Sequence, residues 1–206
     1  MTIRGLIFDY GGVLWDMRWD AARTLEREHG LAERAITETL YGTDAWHSIQ
    51  VGGGDRDAWQ RDAHLELERL AGRGLPPLHQ HWRERQHLIG PNIDLVRRLR
   101  PPFKTAVLSN ADGTLVDRLK HELGIFGLFD DVLCSADVGL AKPDPRVYAL
   151  AARRLALAPG ECLFVDDLAS NVDAARAAGM RAVQFLVYEG HSLEAQLAEF
   201  GVRPRG

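Results

Sequence analysis

The sequence predicts an α/β protein: a parallel sheet covered by helices on both faces, with a block of helices inserted after its first strand. Three observations carry this. Leu6, Ile7 and Phe8 form a short apolar run of the kind that makes a strand buried on both faces, and the run ends in Asp9 and the pair Gly11-Gly12. Residues 16–89 then show helical spacing without a convincing strand. After Pro102 short apolar runs and amphipathic segments alternate to the end of the chain.

Taken in order, Asp9 sits where open α/β sheets place their ligands, at the carboxyl end of a central strand, and Gly11-Gly12 lets a ligand approach the main chain. Helices are expected over 20–29, 32–40, 56–70 and 78–88. Val51-Gly52-Gly53-Gly54-Asp55 separates two of them. It lacks the lysine and hydroxyl residue of a phosphate-binding P-loop, so it reads as a linker whose Asp55 caps the next helix. Gly90-Pro91 and Pro101-Pro102 bracket a helix over 92–100. Strands are then expected over 105–108, 131–135, 162–165 and 182–185, with helices over 114–123, 145–157, 168–178 and 193–200. Asp144 is placed to cap the helix after it, Gly179 to end the helix before it, and Asp173 to face solvent.

At 206 residues the chain suits one domain, or a core with an insertion, and buries a proper core. A net charge of −4 gives no electrostatic reason to expect nucleic acid or an acidic membrane as partner. Arg97-Arg98-Leu99-Arg100 ends a helix, where it suits the helix dipole and solvent. Cys134 and Cys162 both lie in expected strands and read as buried free thiols. The apolar run at the start is too short for a signal peptide and no stretch reaches membrane-spanning length, so a cytoplasmic location is expected, as monomer or homodimer.

Four strand ends carry polar groups that a core would not choose: Asp9, Ser109-Asn110, Lys142 and Asp166-Asp167. In a parallel sheet these ends share one edge. Two carboxylates about 4 Å apart repel by roughly 4 kcal/mol at an effective dielectric near 20, so Asp9 and Asp166 need a counter-charge. A few hard oxygen ligands point to Mg²⁺, with a substrate phosphate completing its shell. Lys142 adds a second positive charge, and Ser109 with nearby backbone N–H groups can hold phosphate oxygens. Asp9 is then placed to attack phosphorus and form an aspartyl phosphate.

This ordered set resembles the haloacid dehalogenase-like superfamily, mostly phosphatases. Asp9-x-x-x-Val13-Leu14 is similar to its first motif, Leu108-Ser109-Asn110 to its second and Lys142-Pro143-Asp144-Pro145 to its third. Val165-Asp166-Asp167-x-x-x-Asn171 is similar to its fourth. The resemblance implies a Rossmann-like three-layer core over 1–15 and 90–206, with 16–89 as an inserted helical cap of the family's first type, which closes over the site and selects the substrate. It implies Asp9 as nucleophile and metal ligand, a backbone carbonyl of Gly11 and the carboxylate of Asp166 as further ligands, and Ser109 and Lys142 on the phosphate. Asp167 supports the metal or Lys142, and Asn171 fixes the loop. Asn110 and the Gly12 backbone are further candidate substrate contacts.

One departure from the family pattern bears on activity. Its phosphatases usually carry a second aspartate two residues after the nucleophile, as acid for the leaving group; here that residue is Gly11. Losing a general acid typically costs about 10²–10⁴-fold, unless the leaving group is good or another residue substitutes. The dehalogenating branch also lacks this aspartate, so 2-haloacid dehalogenase is the rival reading, and a catalytically weak protein that binds phosphorylated ligands is a third. The acidic pair Asp166-Asp167 favours the metal-dependent phosphatase acting on a small phosphorylated metabolite, with a sugar phosphate preferred. Trp15, Trp19, Trp46 and His47 are candidates to line the cap side of the pocket, with His47 touching substrate, although helix packing explains tryptophans as well. His79, His81 and His87 lack a cysteine or acid at ligand spacing and read as solvated helix histidines.

Overall fold

The computed structural model describes residues 2–204; the outermost positions of the expected core, Met1 and residues 205–206, lie outside the described residues. The chain enters through β1 (Gly5–Phe8) and leaves the sheet by the two-residue strand β2 (Trp15–Asp16). Five helices follow: α1 (Trp19–His29), α2 (Ala35–Tyr41), α3 (Asp44–Ile49), α4 (Arg56–Ala71) and α5 (Leu78–Arg83). β3 (His87–Leu88) pairs antiparallel with β2 and returns the chain to the core. Strands and helices then alternate through α6 (Gly90–Leu99), β4 (Lys104–Ser109), α7 (Leu115–Asp117) and β5 (Asp131–Cys134). The last elements are α8 (Ser135–Val138), α9 (Pro145–Arg154), β6 (Cys162–Asp166), α10 (Ala169–Ala177), β7 (Arg181–Gln184) and α11 (Leu193–Glu199).

The five long strands form one parallel sheet in the order β5-β4-β1-β6-β7, with β1 at its centre. Side chains alternate across a strand, and both faces here are apolar. Leu6 and Phe8 join Val107, Leu163 and Val165 on one face, packed against α6, α7 and α11. Ile7 joins Ala106, Leu108 and Phe164 on the other, packed against α9 and α10. This is the three-layer α/β architecture that the uninterrupted apolar runs predict. The helical segment builds a core of its own around Leu25, Ile36, Leu40, Leu67, Leu78 and Trp82.

The expected helices are found, with boundary changes that have local causes. The helix expected from residue 32 begins at Ala35, because the Glu26 carboxylate reaches across from α1 and accepts the N–H groups of Arg34 and Ile36 at 3.0 and 2.9 Å. The helix expected to run to residue 88 stops at Arg83, because His87 and Leu88 pair with Asp16 and Trp15 instead. The helix expected over 114–123 widens after α7 into a turn closed by the Leu123 N–H on the Arg118 carbonyl at 3.0 Å. Asp55 and Asp144 cap their helices as expected, Asp55 accepting the N–H groups of Asp57 and Ala58 and Asp144 that of Arg146. Cys134 and Cys162 are buried free thiols, and burial pushes both up to about 11. Among the described residues no helix is long and apolar enough to cross a membrane.

One expectation is corrected. His79 is not a solvated histidine: it is buried, and its Nε2 lies 3.0 Å from Thr39 Oγ1 and 3.1 Å from the Ile36 carbonyl, tying α5 to α2. Burial pushes its imidazole down to about 4, so the fold favours the neutral ring. The contribution is complete above the unfolded value near 6.5 and is lost as pH falls towards 4, a change of up to roughly 3 kcal/mol. Denaturant unfolding at pH 7 and pH 4.5 is expected to show a loss of stability larger in the wild-type protein than in His79→Gln; equal losses would show that His79 does not titrate in this window.

Candidate active site

The carboxyl edge of the sheet gathers the polar strand ends around one lysine. Asp9 follows β1 directly, and its N–H continues the ladder to the Val165 carbonyl at 2.8 Å, which fixes the residue where β1 and β6 part. Asp9 Oδ1 accepts the Tyr10 N–H at 2.7 Å and lies 2.8 Å from Lys142 Nζ. Its second oxygen, Oδ2, accepts no hydrogen bond among the described residues. Lys142 Nζ reaches Asp166 Oδ2 at 2.6 Å, so one ammonium bridges two carboxylates, with its side chain 2% exposed and that of Asp166 fully buried. Asp166 is satisfied from every side: Oδ1 accepts the Leu168 N–H at 2.8 Å, and Asn171 Nδ2 donates at 3.0 Å to Oδ1 and 3.2 Å to Oδ2.

Lys142 is itself held in place. The side-chain amide of Asn110 brackets its backbone, Nδ2 donating to the Lys142 carbonyl and Oδ1 accepting the Lys142 N–H, both at 2.8 Å. Asn110 therefore positions Lys142 with one donor and one acceptor of its amide, and it also lines the cleft. Ser109, at the end of β4, is buried, and its hydroxyl lines the cleft without a hydrogen-bond partner among the described residues.

Asp167 completes an acidic trio. Carboxylate oxygens of Asp9, Asp166 and Asp167 all lie within 4.8 Å of one another. Gly12 makes the approach of Asp167 possible: it has φ +77°, and a Cβ there would fall 2.4 Å from Asp167 Oδ2. Any side chain would be strained and would displace the carboxylate. Burial pushes the Asp9 carboxyl up to about 6 against the pull of Lys142. Burial, then the charges of Asp9 and Asp166, push Asp167 up to about 7. Lys142 goes the other way: burial alone would lower it, but Asp9 and Asp166 outweigh burial and hold it above its ordinary value. Three carboxylates face one ammonium, which leaves an excess of negative charge and unshared hard oxygen donors. That donor set fits a small divalent cation.

Above this centre a cleft of about 1170 Å³ separates the sheet edge from the helical segment. Trp15, Trp19 and Trp46 line it as the sequence suggested. His47 does not: it is exposed on α3 and outside the cleft lining, because one step along a helix turns the side chain about 100° away from the face that Trp46 presents. Among the lining residues that sequence reasoning missed, four bear on the site. Met17 fills the space beside Gly11, its Sδ 3.3 Å from where a Cβ would stand, so the position of the family's usual acid is packed by a thioether. Arg56 donates to Asp112 Oδ2 at 2.7 Å, tying α4 to the loop after β4. Tyr41 and Arg83 face the cleft from α2 and α5. Only their helical context was legible, since nothing in the local sequence marks which helix face meets the sheet edge.

Comparison with known proteins agrees with this geometry. A family model described as haloacid dehalogenase-like hydrolase matches residues 3–179. Phosphatase MT3486 of Mycobacterium tuberculosis is 43% identical over 197 residues, covering 88% of this chain and 87% of that protein. Fructose-1-phosphate phosphatase YqaB of Escherichia coli is 32% identical over 189 residues, covering 87% of this chain and 94% of its own length. Among solved structures, the HAD-family enzyme BT-2542 of Bacteroides thetaiotaomicron, in complex with magnesium and inorganic phosphate, superposes with a TM-score of 0.71 at 18% identity, covering 94% of this chain and 98% of that one.

The ion-pair geometry has a direct consequence for stability. Lys142→Met leaves two buried carboxylates without their cation, and breaking a buried pair in this way costs about 3–5 kcal/mol. Denaturant titration in the presence of chelator is expected to show a loss of that size; a loss below about 1 kcal/mol would mean the pair is dispensable to the fold.

Proposed function

The chain belongs to the haloacid dehalogenase-like hydrolases, and within that family we propose that it is a Mg²⁺-dependent phosphatase of a small phosphorylated metabolite, a sugar phosphate by preference. The observation that carries the reading is the acidic trio around a single buried ammonium. A dehalogenase attacking carbon has less use for the excess of carboxylates, whereas phosphoryl transfer needs a cation to gather phosphate oxygens beside an anionic nucleophile. The names of the two relatives as phosphatases support the same choice.

Asp9, Asp166 and the backbone carbonyl of Gly11 would hold the Mg²⁺, with Asp167 beside them. When bound, the ion supplies charge neutralisation between the phosphate and the carboxylates. The remaining work falls to the chain. Asp9 attacks phosphorus through Oδ2, the oxygen that Lys142 and the Tyr10 N–H leave free. Lys142 holds the nucleophile in position by Oδ1 and offers its charge to the phosphoryl oxygens as negative charge shifts onto them. The Ser109 hydroxyl donates to a further phosphoryl oxygen; Gly12, expected as a substrate contact, lies outside the cleft lining and makes room for Asp167 instead. The P–O bond to the leaving group breaks, an aspartyl phosphate remains on Asp9, and water hydrolyses it to inorganic phosphate.

The segment 16–89 acts in this reading as the cap. Its contacts with the core include the Arg56–Asp112 ion pair, the Trp19 N–H on the Tyr188 hydroxyl, and Gly52, where a Cβ would stand 2.5 Å from the Ala136 carbonyl of α8. The glycine run of the sequence thus serves as a close-packed seat of the cap on the core.

Activity is tested by phosphate release from a panel of sugar phosphates, nucleotides and an aryl phosphate, with Mg²⁺ and with chelator. Release that chelator abolishes and Mg²⁺ restores is the expected outcome, and Asp9→Asn is expected to lower it at least about 10⁴-fold while leaving the circular dichroism spectrum unchanged; full release in a clean preparation of Asp9→Asn would sink the mechanism. Halide release from 2-haloacids without metal would instead establish the dehalogenase. With Met17 in place of an acid beside Gly11, the rate is also expected to fall steeply as the leaving group becomes more basic, by about 10²-fold or more from an aryl to an alkyl ester. Equal rates on the two would show that another residue donates the proton.

A further inference from the structure

The cleft has a second polar wall that the chemistry at phosphorus does not use. Arg83, the last residue of α5, lines the cleft half-buried, yet its guanidinium makes neither a hydrogen bond nor an ion pair with any described residue. The two arginines near it are engaged. Arg56 is paired with Asp112 at 2.7 Å, while Arg118 lies 4.1 Å from the centre of the Trp15 ring and 3.8 Å from Glu122. Burial holds Arg83 below its ordinary pKa; Tyr41 and the Asp112 carboxylate push against this, and the charges of Arg56 and Arg118 push with it.

Tyr41 is the companion group. Its ring is packed at 5.0 Å from Trp46 and 6.2 Å from Trp82, centroid to centroid. Its hydroxyl, however, has no hydrogen-bond partner among the described residues, and burial raises its pKa so that it stays a proton donor. A guanidinium that pairs with no described residue and a free phenol, the latter packed in an aromatic cluster, are donors without acceptors. A guanidinium presents its N–H groups in a fixed fork that matches the paired oxygens of a carboxylate or a phosphate.

We propose that Arg83 and the Tyr41 hydroxyl form a cap-side subsite for a second anionic group of the substrate, a carboxylate or a second phosphate. The favoured substrates are then phosphate monoesters whose leaving group is itself anionic. This rests on the phosphatase reading of the same cleft. Discrimination comes from both directions: the anion gains charge-assisted hydrogen bonds, and a neutral leaving group leaves Arg83 partly desolvated and unpaired. Arg83 and Tyr41 are specificity residues here and take no part in the transfer at phosphorus.

The test compares matched esters. One arm sets 3-phosphoglycerate against glycerol 3-phosphate, the other fructose 1,6-bisphosphate against fructose 1-phosphate. In the wild-type enzyme kcat/KM for the anionic member is expected to exceed that for its neutral partner by about tenfold or more in at least one arm, and the arm that responds tells carboxylate from phosphate. Arg83→Gln is expected to bring that ratio close to one, and Tyr41→Phe to reduce it several-fold. A ratio of one or less in both arms, or an equal fall on both members in Arg83→Gln, overturns the subsite. Should none of the esters or an aryl phosphate be hydrolysed, it is the phosphatase reading that fails. The subsite is then tested by calorimetric titration of the two anionic esters into wild type and Arg83→Gln. Binding at least about tenfold weaker in the variant supports it, and equal affinity or no binding overturns it.

Discussion

The Lys142 ammonium is the interaction on which the rest of the edge depends. Asp9 and Asp166 stand at the ends of adjacent strands, and parallel pairing brings them together whether or not their charges agree. Bridging both at 2.8 and 2.6 Å, Lys142 converts a repulsion into an ordered site. Around that bridge each donor holds one group in place. Asn110 clamps the lysine backbone, Asn171 and the Leu168 N–H hold Asp166, and the Tyr10 N–H holds one oxygen of Asp9. Preorganisation of this kind leaves one nucleophilic oxygen free and little to rearrange when a phosphate arrives.

The two sides of the cleft differ in how their charges are satisfied. The sheet edge gathers three carboxylates around one cation, while the cap side carries arginines and glutamates together, with the Arg83 guanidinium pairing with no described residue. In the proposed reading a divalent cation sits at the sheet edge and an anionic group of the substrate meets Arg83. Between them lie aromatic rings, which contribute shape and dryness but little charge. In that reading a substrate anionic at both ends and compact in the middle satisfies the whole cleft at once.

Most of the fold was legible in the sequence because it is local. Runs such as Leu6-Ile7-Phe8 and Cys162-Leu163-Phe164-Val165 are apolar on both faces, which only a covered parallel sheet can use. The centre was legible too, since parallel strands deliver their carboxyl ends to one edge and Asp9, Ser109 and Asp166 lie at such ends, whereas Lys142 reaches them from the loop between α8 and α9. What escaped depends on contacts between distant segments. The β2–β3 ribbon has two residues a side, too short for any periodicity. His79 is buried by Thr39 and the Ile36 carbonyl, some forty residues earlier in the chain. Trp46 faces the cleft and His47 does not because of how α3 is rotated, which tertiary packing decides. Met17 beside Gly11 and the unpaired Arg83 belong to the same class.

The central claim is that Asp9 becomes covalently phosphorylated, and acid quenching during turnover tests it most directly. Tryptic digestion releases residues 5–18, which contain Asp9 and no other candidate nucleophile of the site. Mass spectrometry of that peptide, quenched in the steady state with Mg²⁺ and the best substrate, is predicted to show one acid-stable, hydroxylamine-labile phosphoryl group on Asp9. Steady phosphate release with that peptide unmodified at every time sampled, down to the first turnover, would contradict the account.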